Sequence, residues 1–337
     1  VYKRQLLLRS RYVFSVCLLI KCFGVSTSYL IISGSLMPQV VKSLVRSLGG
    51  SASSIPGFFL SYTVWTFSML LLISPICFYR RLNSLSFAGY LNMFAVAYLL
   101  VIMLVYMMLP SFEPARGEIR AFVWSWDAIR TLPILVFAYT CAQNIMPVYH
   151  ELHDSTIKRS SIVSFVSVSL SALVYLIVGF VGYSTFGTNV EDNIIAMYPD
   201  HNLFVCLGKL SVVCLTLTSY PMQLHPSRAS IYNLLAHIRV HPDPATLPQE
   251  QLSLLDEERR PPRLIHAEIT TLHWNAVTVL MMLSGVTVAL LIQDLTLVLG
   301  LVGSIGSTTI SFIVRMANAV ADTRYPHSYI GALHRAH

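Results

Sequence analysis

Charge is what this sequence has least of. Only 12% of its 337 residues are Asp, Glu, Lys or Arg, about half the share found in soluble domains. No Asp or Glu falls in the middle of an apolar run. The six cysteines, Cys17, Cys22, Cys77, Cys141, Cys206 and Cys214, all lie in apolar runs and form no Cys-x-x-Cys pair. They suggest neither a disulfide framework nor a zinc site, and read as small buried hydrophobes. Strict alternation of apolar and polar residues is missing, which argues against a membrane barrel. There is no Gly-x-Ser-x-Gly elbow and no phosphate loop, so nothing marks an enzyme. His150-Glu151-Leu152-His153 is one position short of the zinc-protease pattern and reads as a polar helix terminus.

What is present is apolar and continuous. Hydrophobic residues make up 55% of the chain. Residues 12–38, 57–79, 86–109, 161–186, 203–224, 271–292 and 295–316 each hold a stretch near the ~20 residues that cross a hydrocarbon core. Residues 131–149 form a weaker eighth run. Inside lipid every backbone polar group must be satisfied internally, so these runs predict helices. The expected class is an all-α integral membrane protein. Residues 1–11 are its N-terminal edge, 12–316 its membrane domain and 317–337 a tail.

The formal net charge of +7 resembles a nucleic-acid signal, but its placement points to a bilayer. Arg80, Arg81, Lys158, Arg159, the arginines of 225–270, Arg315, Arg324 and Arg335 fall on one side if each run crosses once. On the other side, Lys42, Arg46, Arg116, Arg120 and Arg130 mix with Glu113, Glu118 and Asp127, and 187–202 has acids but no Lys or Arg. This is the positive-inside bias. It puts residue 11 and a 225–270 connector in the cytosol, and 187–202 outside or in a lumen. The partner is lipid, and not nucleic acid.

Both ends are expected to be edges. Lys3, Arg4, Arg9 and Arg11 lead into a full-length span without a signal-peptide pattern. Residues 1–5 resemble a translated sequencing adapter. The tail has no hydrophobic period and is expected to be non-native.

Several polar residues interrupt the runs. Lys21 sits mid-span in 12–38, where a charge costs several kcal/mol unless paired or solvated. A coupling lysine and one that snorkels to the cytosolic face both remain open. Lys209, nearer the outer end of its run, is expected to snorkel. The first span is expected to end at Pro38, and Pro75 marks a kink or end of the second. Pro133 and Pro147 bracket a segment with Thr140, Gln143 and Asn144 at its centre. A discontinuous helix lining a cavity and a packed helix bonded to neighbours both fit that pattern. In the sixth run Thr216, Thr218 and Ser219 precede Pro221. Their oxygens could hold a small cation or simply join helices. In the last run Gly300, Gly303 and Gly306 make a smooth packing stripe, without the strand and loop context of a nucleotide motif.

These residues also carry a resemblance. Ile20-Lys-Cys-Phe-Gly-Val-Ser-Thr-Ser-Tyr-Leu30 resembles the third helix of the amino acid/auxin permease family, especially its fungal vacuolar branch. Phe137-Ala-Tyr-Thr-Cys-Ala-Gln-Asn-Ile-Met-Pro-Val-Tyr-His-Glu-Leu152 resembles the sixth helix. Gly182-Tyr-Ser-Thr-Phe-Gly187 resembles the end of the seventh, and Ser219-Tyr-Pro-Met-Gln-Leu-His-Pro-Ser-Arg228 the end of the eighth.

The resemblance implies a LeuT-like inverted-repeat bundle, with helices 3–10 of eleven present. It implies a secondary active amino-acid transporter working by alternating access, coupled to protons in preference to sodium and needing no cofactor. It implies a vacuolar or lysosomal membrane, with the plasma membrane as alternative. By resemblance, Thr140, Cys141, Ala142, Gln143, Asn144 and Ser28 lie at the substrate, and Lys21, Thr216, Thr218 and Ser219 serve the coupling ion. Ala142 departs from the polar residue usual there, which bears on substrate preference. An amino-acid-sensing receptor on the same scaffold, and a helical channel or receptor, are the alternatives.

Overall fold

The computed structural model describes residues 2–50, 55–79, 86–109, 116–120, 126–140, 152, 156–199, 202–239 and 271–313. Among these the chain is helical wherever an apolar run was found. The helices are α1 (Tyr2–Ser47), α2 (Tyr62–Cys77), α3 (Ser86–Met108), α4 (Trp126–Tyr139), α5 (Ile157–Phe186), α6 (Leu203–Arg239) and α7 (Thr271–Leu291). The eighth, α8, starts at Leu295–Leu301 and continues with π geometry over Val302–Ser307 and Thr309–Ile313. Five of these hold a segment long and apolar enough to cross a membrane, and α2, α4 and α8 are shorter apolar helices.

Local chemistry sets the ends. Thr156 caps α5, its side chain accepting from the Arg159 N–H at 3.3 Å. Asp294 caps α8 through the Leu297 N–H at 3.0 Å, which fixes the tight turn after α7. Gly187 ends α5 with φ +61, a backbone that L side chains rarely adopt.

Three prolines lie well inside α1 and α6, and one of them, Pro38, had been expected to end its span. α1 runs through Pro38, where 12–38 was expected to end. α6 runs through Pro221 and Pro226 to Arg239. Residues 225–239, expected within a cytosolic connector, thus extend a helix. A proline removes one ladder bond, and packing on both sides outweighs that loss. Beyond Pro38, Val40 joins the core. Beyond Pro226, Arg228 is buried against α2 and α7. The second run also starts later than expected, because Gly57–Leu60 forms a 3₁₀ turn before α2. Pro75 lies within α2, two residues from its end.

α1 lies along α6, with α2, α7 and α8 packed around it; α3 packs on α6, and α4 on α8. One apolar cluster gathers Val25, Leu30, Ile73, Tyr220 and Met281. A second, toward the other end, gathers Leu36, Ile102, Met103, Tyr198 and Val205. Glycines allow the closest approaches. A Cβ on Gly24 would meet Val302, and one on Gly303 would meet the Pro133 carbonyl; one on Gly306 would sit 2.7 Å from Lys21 Cβ. The stripe therefore packs through Gly303 and Gly306, while Gly300 faces open space.

Candidate functional site

Hydroxyls are accommodated inside α1 by bonding back to its own ladder. Ser26 donates to Phe23 O at 2.7 Å, Thr27 to the same oxygen at 3.0 Å, and Ser28 to Gly24 O at 3.0 Å. Such bonds let a polar residue enter lipid without an unmet donor. Ser28, expected near the substrate, is buried on α1, two helical turns above Lys21.

Lys21 is fully buried. Its ammonium donates to the carbonyl of Thr140 at 3.0 Å and lies 6.0 Å from the centre of the Phe137 ring. Thr140 follows the last residue of α4, and its N–H already turns back to Phe137 O at 3.0 Å. Two expected residues thus meet here, the mid-span lysine and the centre of the polar segment. The Thr140 hydroxyl lies 3.4 Å from Ser311 of α8. Ser307, also fully buried, has a hydroxyl with no partner among the described residues. Cys141, Ala142, Gln143 and Asn144 lie outside the described residues, as does the His150–His153 motif.

The hydroxyls of α6 divide between two neighbours. Thr216 is 2.8 Å from the Ser33 hydroxyl of α1. Thr218 donates to Asn92 Oδ1 of α3 at 2.7 Å, and Ser219 accepts from Asn92 Nδ2 at 3.1 Å. These bonds join helices. Asn92 was not anticipated; an amide inside an otherwise apolar run was the available signal.

Lys209 overturns the expectation of snorkelling. It is fully buried, and its ammonium donates to Gln39 Oε1 at 2.8 Å and to Tyr198 O at 3.0 Å. Polar acceptors at hand remove the need to reach for water. Tyr198 ends a 3₁₀ turn over Ile194–Met197 and packs edge-on against Tyr106 and Phe186, each at 5.3 Å. Burial, with Tyr106 nearby, pushes its phenol up to about 12. Residues 116–120 secure this region. Gly117 N–H donates to Phe186 O at 2.9 Å, and Tyr183 OH donates to Arg120 O at 3.1 Å.

Five turns further along α6, Arg228 is also buried. Its Nη1 donates to Cys77 O at 2.6 Å and to Thr278 Oγ1 at 2.9 Å. The guanidinium lies 4.2 Å from the Trp274 ring, a cation–π contact. Trp274 in turn donates to Phe78 O at 3.3 Å. Sequence reading placed Arg228 in the 225–270 connector and at the end of a motif, and the structure instead buries it within α6.

Apolar helices of this length, with polar groups and cations turned inward, define a multi-pass membrane protein. The chain belongs to the transmembrane amino acid transporter protein family, whose model matches residues 7–314. It is 33% identical to vacuolar amino acid transporter 5 of Saccharomyces cerevisiae, over 90% of this chain and 70% of that protein. It is 34% identical to vacuolar amino acid transporter 5 of Schizosaccharomyces pombe, over 90% of this chain and 64% of that one. It is 23% identical to sodium-coupled neutral amino acid transporter 7 of Xenopus laevis, over 87% of this chain and 60% of that protein. The chain thus spans roughly two thirds of the length of these relatives. They are transporters and not enzymes. No solved structure matches the chain significantly.

Proposed function

We propose that this chain forms most of a secondary active transporter that moves amino acids across a vacuolar membrane, driven by protons through alternating access. The observation that carries the reading is the Lys21 ammonium on the Thr140 carbonyl. A titratable cation here joins α1 to the end of α4, inside the segment where the family resemblance puts the substrate. Losing the proton weakens that bond and gaining it restores the bond, so protonation biases how the two helices sit. In the proposed LeuT-like arrangement of inverted repeats, α1 to α8 are helices 3–10. Thr140, Cys141, Ala142, Gln143, Asn144 and Ser28 face the amino acid. Protons are favoured over sodium because Thr216, Thr218 and Ser219 already bond to Ser33 and Asn92. The vacuolar assignment rests on the fungal relatives.

The test is uptake of labelled amino acids into proteoliposomes with and without a pH gradient. Gradient-dependent uptake is expected, unchanged by replacing sodium with choline. Lys21→Met is expected to abolish the gradient dependence. No gradient-dependent uptake of any amino acid sinks the transporter reading. An unaltered pH profile in the variant removes Lys21 from coupling.

A further inference from the structure

Ser307 is a buried hydroxyl of α8 that its own helix does not satisfy. Ser304 donates to Leu301 O at 3.2 Å, and the Thr308 hydroxyl donates to Gly303 O at 2.9 Å. Gly303 O also accepts from the Thr308 N–H, as π geometry sets it. The carbonyl one turn back is where a helical serine usually turns, and here it is taken twice. Ser307 is 0% exposed, and its Oγ has no partner among the described residues. A buried polar atom in that state is ordinarily met by an ordered water.

Its place is set by its neighbours. Gly303, Ser307 and Ser311 recur at every fourth position and share a face of α8. Gly303 packs on the Pro133 carbonyl of α4, and the Ser311 hydroxyl lies 3.4 Å from that of Thr140. Ser307 therefore stands between them, against the last two turns of α4. The residue before it, Gly306, lies against Lys21. Ser307 thus borders the place where the Lys21 ammonium crosses to Thr140 O.

We propose that Ser307 and Ser311 hold one bound water beside the Lys21 ammonium, and that this water takes and returns the Lys21 proton. The proposal rests on the coupling reading above and adds the group with which Lys21 exchanges.

The chemistry requires such a group. The Thr140 carbonyl accepts a hydrogen bond from the ammonium but does not carry a proton onward. Relays inside membranes ordinarily use Asp, Glu or His. Among the described residues, Asp127 is the sole Asp or Glu within a helix, and it lies thirteen residues before Thr140, about 20 Å along a helix. α8 carries no titratable side chain from Leu295 to Ile313. On α4, Tyr139 packs on Tyr175 of α5 at 5.4 Å. On α1 the titratable neighbours are the buried thiols Cys17 and Cys22. A water supplies what these lack. Its oxygen accepts the proton from Nζ while one of its own O–H bonds releases a proton to solvent at the cytosolic end of α8. Lys21 is left neutral and the water is unchanged; the reverse reloads the lysine. Ser307 and Ser311 keep their own protons and fix the water in place, so they are positioning residues.

The experiment uses the chain in proteoliposomes with an internal pH dye and a labelled mixture of the protein amino acids. Two rates are read. One is proton movement with gradient-driven uptake. The other is exchange of labelled for unlabelled amino acid at equal pH, which needs no net proton movement. Ser307→Ala is expected to slow proton movement and gradient-driven uptake about tenfold, as losing a hydrogen bond that positions a proton transfer implies. Exchange is expected to stay within about twofold. Ser311→Ala is expected to show the same split at about threefold. Ser304→Ala, on the exposed face of α8, is expected to alter neither rate. A merely structural role predicts that both rates fall together; that result overturns the water site, as does an unchanged proton rate in Ser307→Ala. Should Ser307→Ala fail to fold, Ser311→Ala decides on the same terms. If the unaltered chain moves no protons with its amino acids, the coupling reading fails and the water site falls with it. If the unaltered chain couples and Ser307→Ala couples equally well, the water site alone fails.

Discussion

Helices α1 and α5 are both long and apolar, yet they occupy opposite surroundings. In the most apolar stretch of α1, 56% of residues are buried inside the bundle; in that of α5, none are. Lipid tails are as apolar as a leucine side chain, so hydrophobicity does not decide which helix goes inside. What distinguishes α1 is a file of small and polar residues that give neighbours a close approach or a bond. Gly24 meets Val302, Gly34 meets Thr66 and Tyr62, and Ser33 meets Thr216. Gly179 of α5 meets nothing within 4 Å. The inside of a membrane protein is chosen by fit and by polar partners.

Matched substitutions test that contrast, and the largest effect is expected from leucine truncation. Leu30→Ala on α1, at a site 1% exposed, is expected to destabilise by about 2–5 kcal/mol through the cavity it leaves. Leu176→Ala on α5, at a site 70% exposed, is expected to change stability by under about 0.5 kcal/mol, since lipid or detergent fills the gap. Thermal unfolding in detergent reads both, and equal losses would break the contrast. Glycine comes next. Gly306→Ala puts a Cβ 2.7 Å from Lys21 Cβ and is expected to destabilise by about 1–3 kcal/mol. Gly179→Ala, with open space around it, is expected to gain about 0.4–1 kcal/mol; a loss there would mean that α5 is packed against something. The smallest effect is expected at hydroxyls. Thr216→Val removes the bond to Ser33 and is expected to lose about 0.6 kcal/mol. Ser169→Ala on the exposed face of α5 is expected to be neutral in the same melting assay, and similar shifts at both positions would erase the distinction.

The helices themselves were legible, because twenty apolar residues in a row have one stable form in lipid. Their ends were less so. Pro38, Pro221 and Pro226 carry a local preference against helix, while the contacts of Val40 and Arg228 that override it join residues far apart in sequence. Lys21 stood out by its depth in a run, and it does meet Thr140. Lys209 was misread for a related reason. Distance from the end of a run estimates how far water is, and says nothing of Gln39 or the Tyr198 carbonyl. Asn92 was hidden by the apolar run around it, although its amide is what holds Thr218 and Ser219.

The two cations of α6 also measure something. Lys209 and Arg228 stand nineteen residues apart on one helix, which at 1.5 Å per residue is about 28 Å. That is close to the ~30 Å thickness of a hydrocarbon layer. A spacing of that size suits a helix whose two charges lie one near each margin. Bilayers differ by a few Å among organelles, and mismatch is met by tilt or local thinning. A helix with a charge fixed near each margin has little room to slide, so α6 is a gauge of the membrane for which this chain is cut.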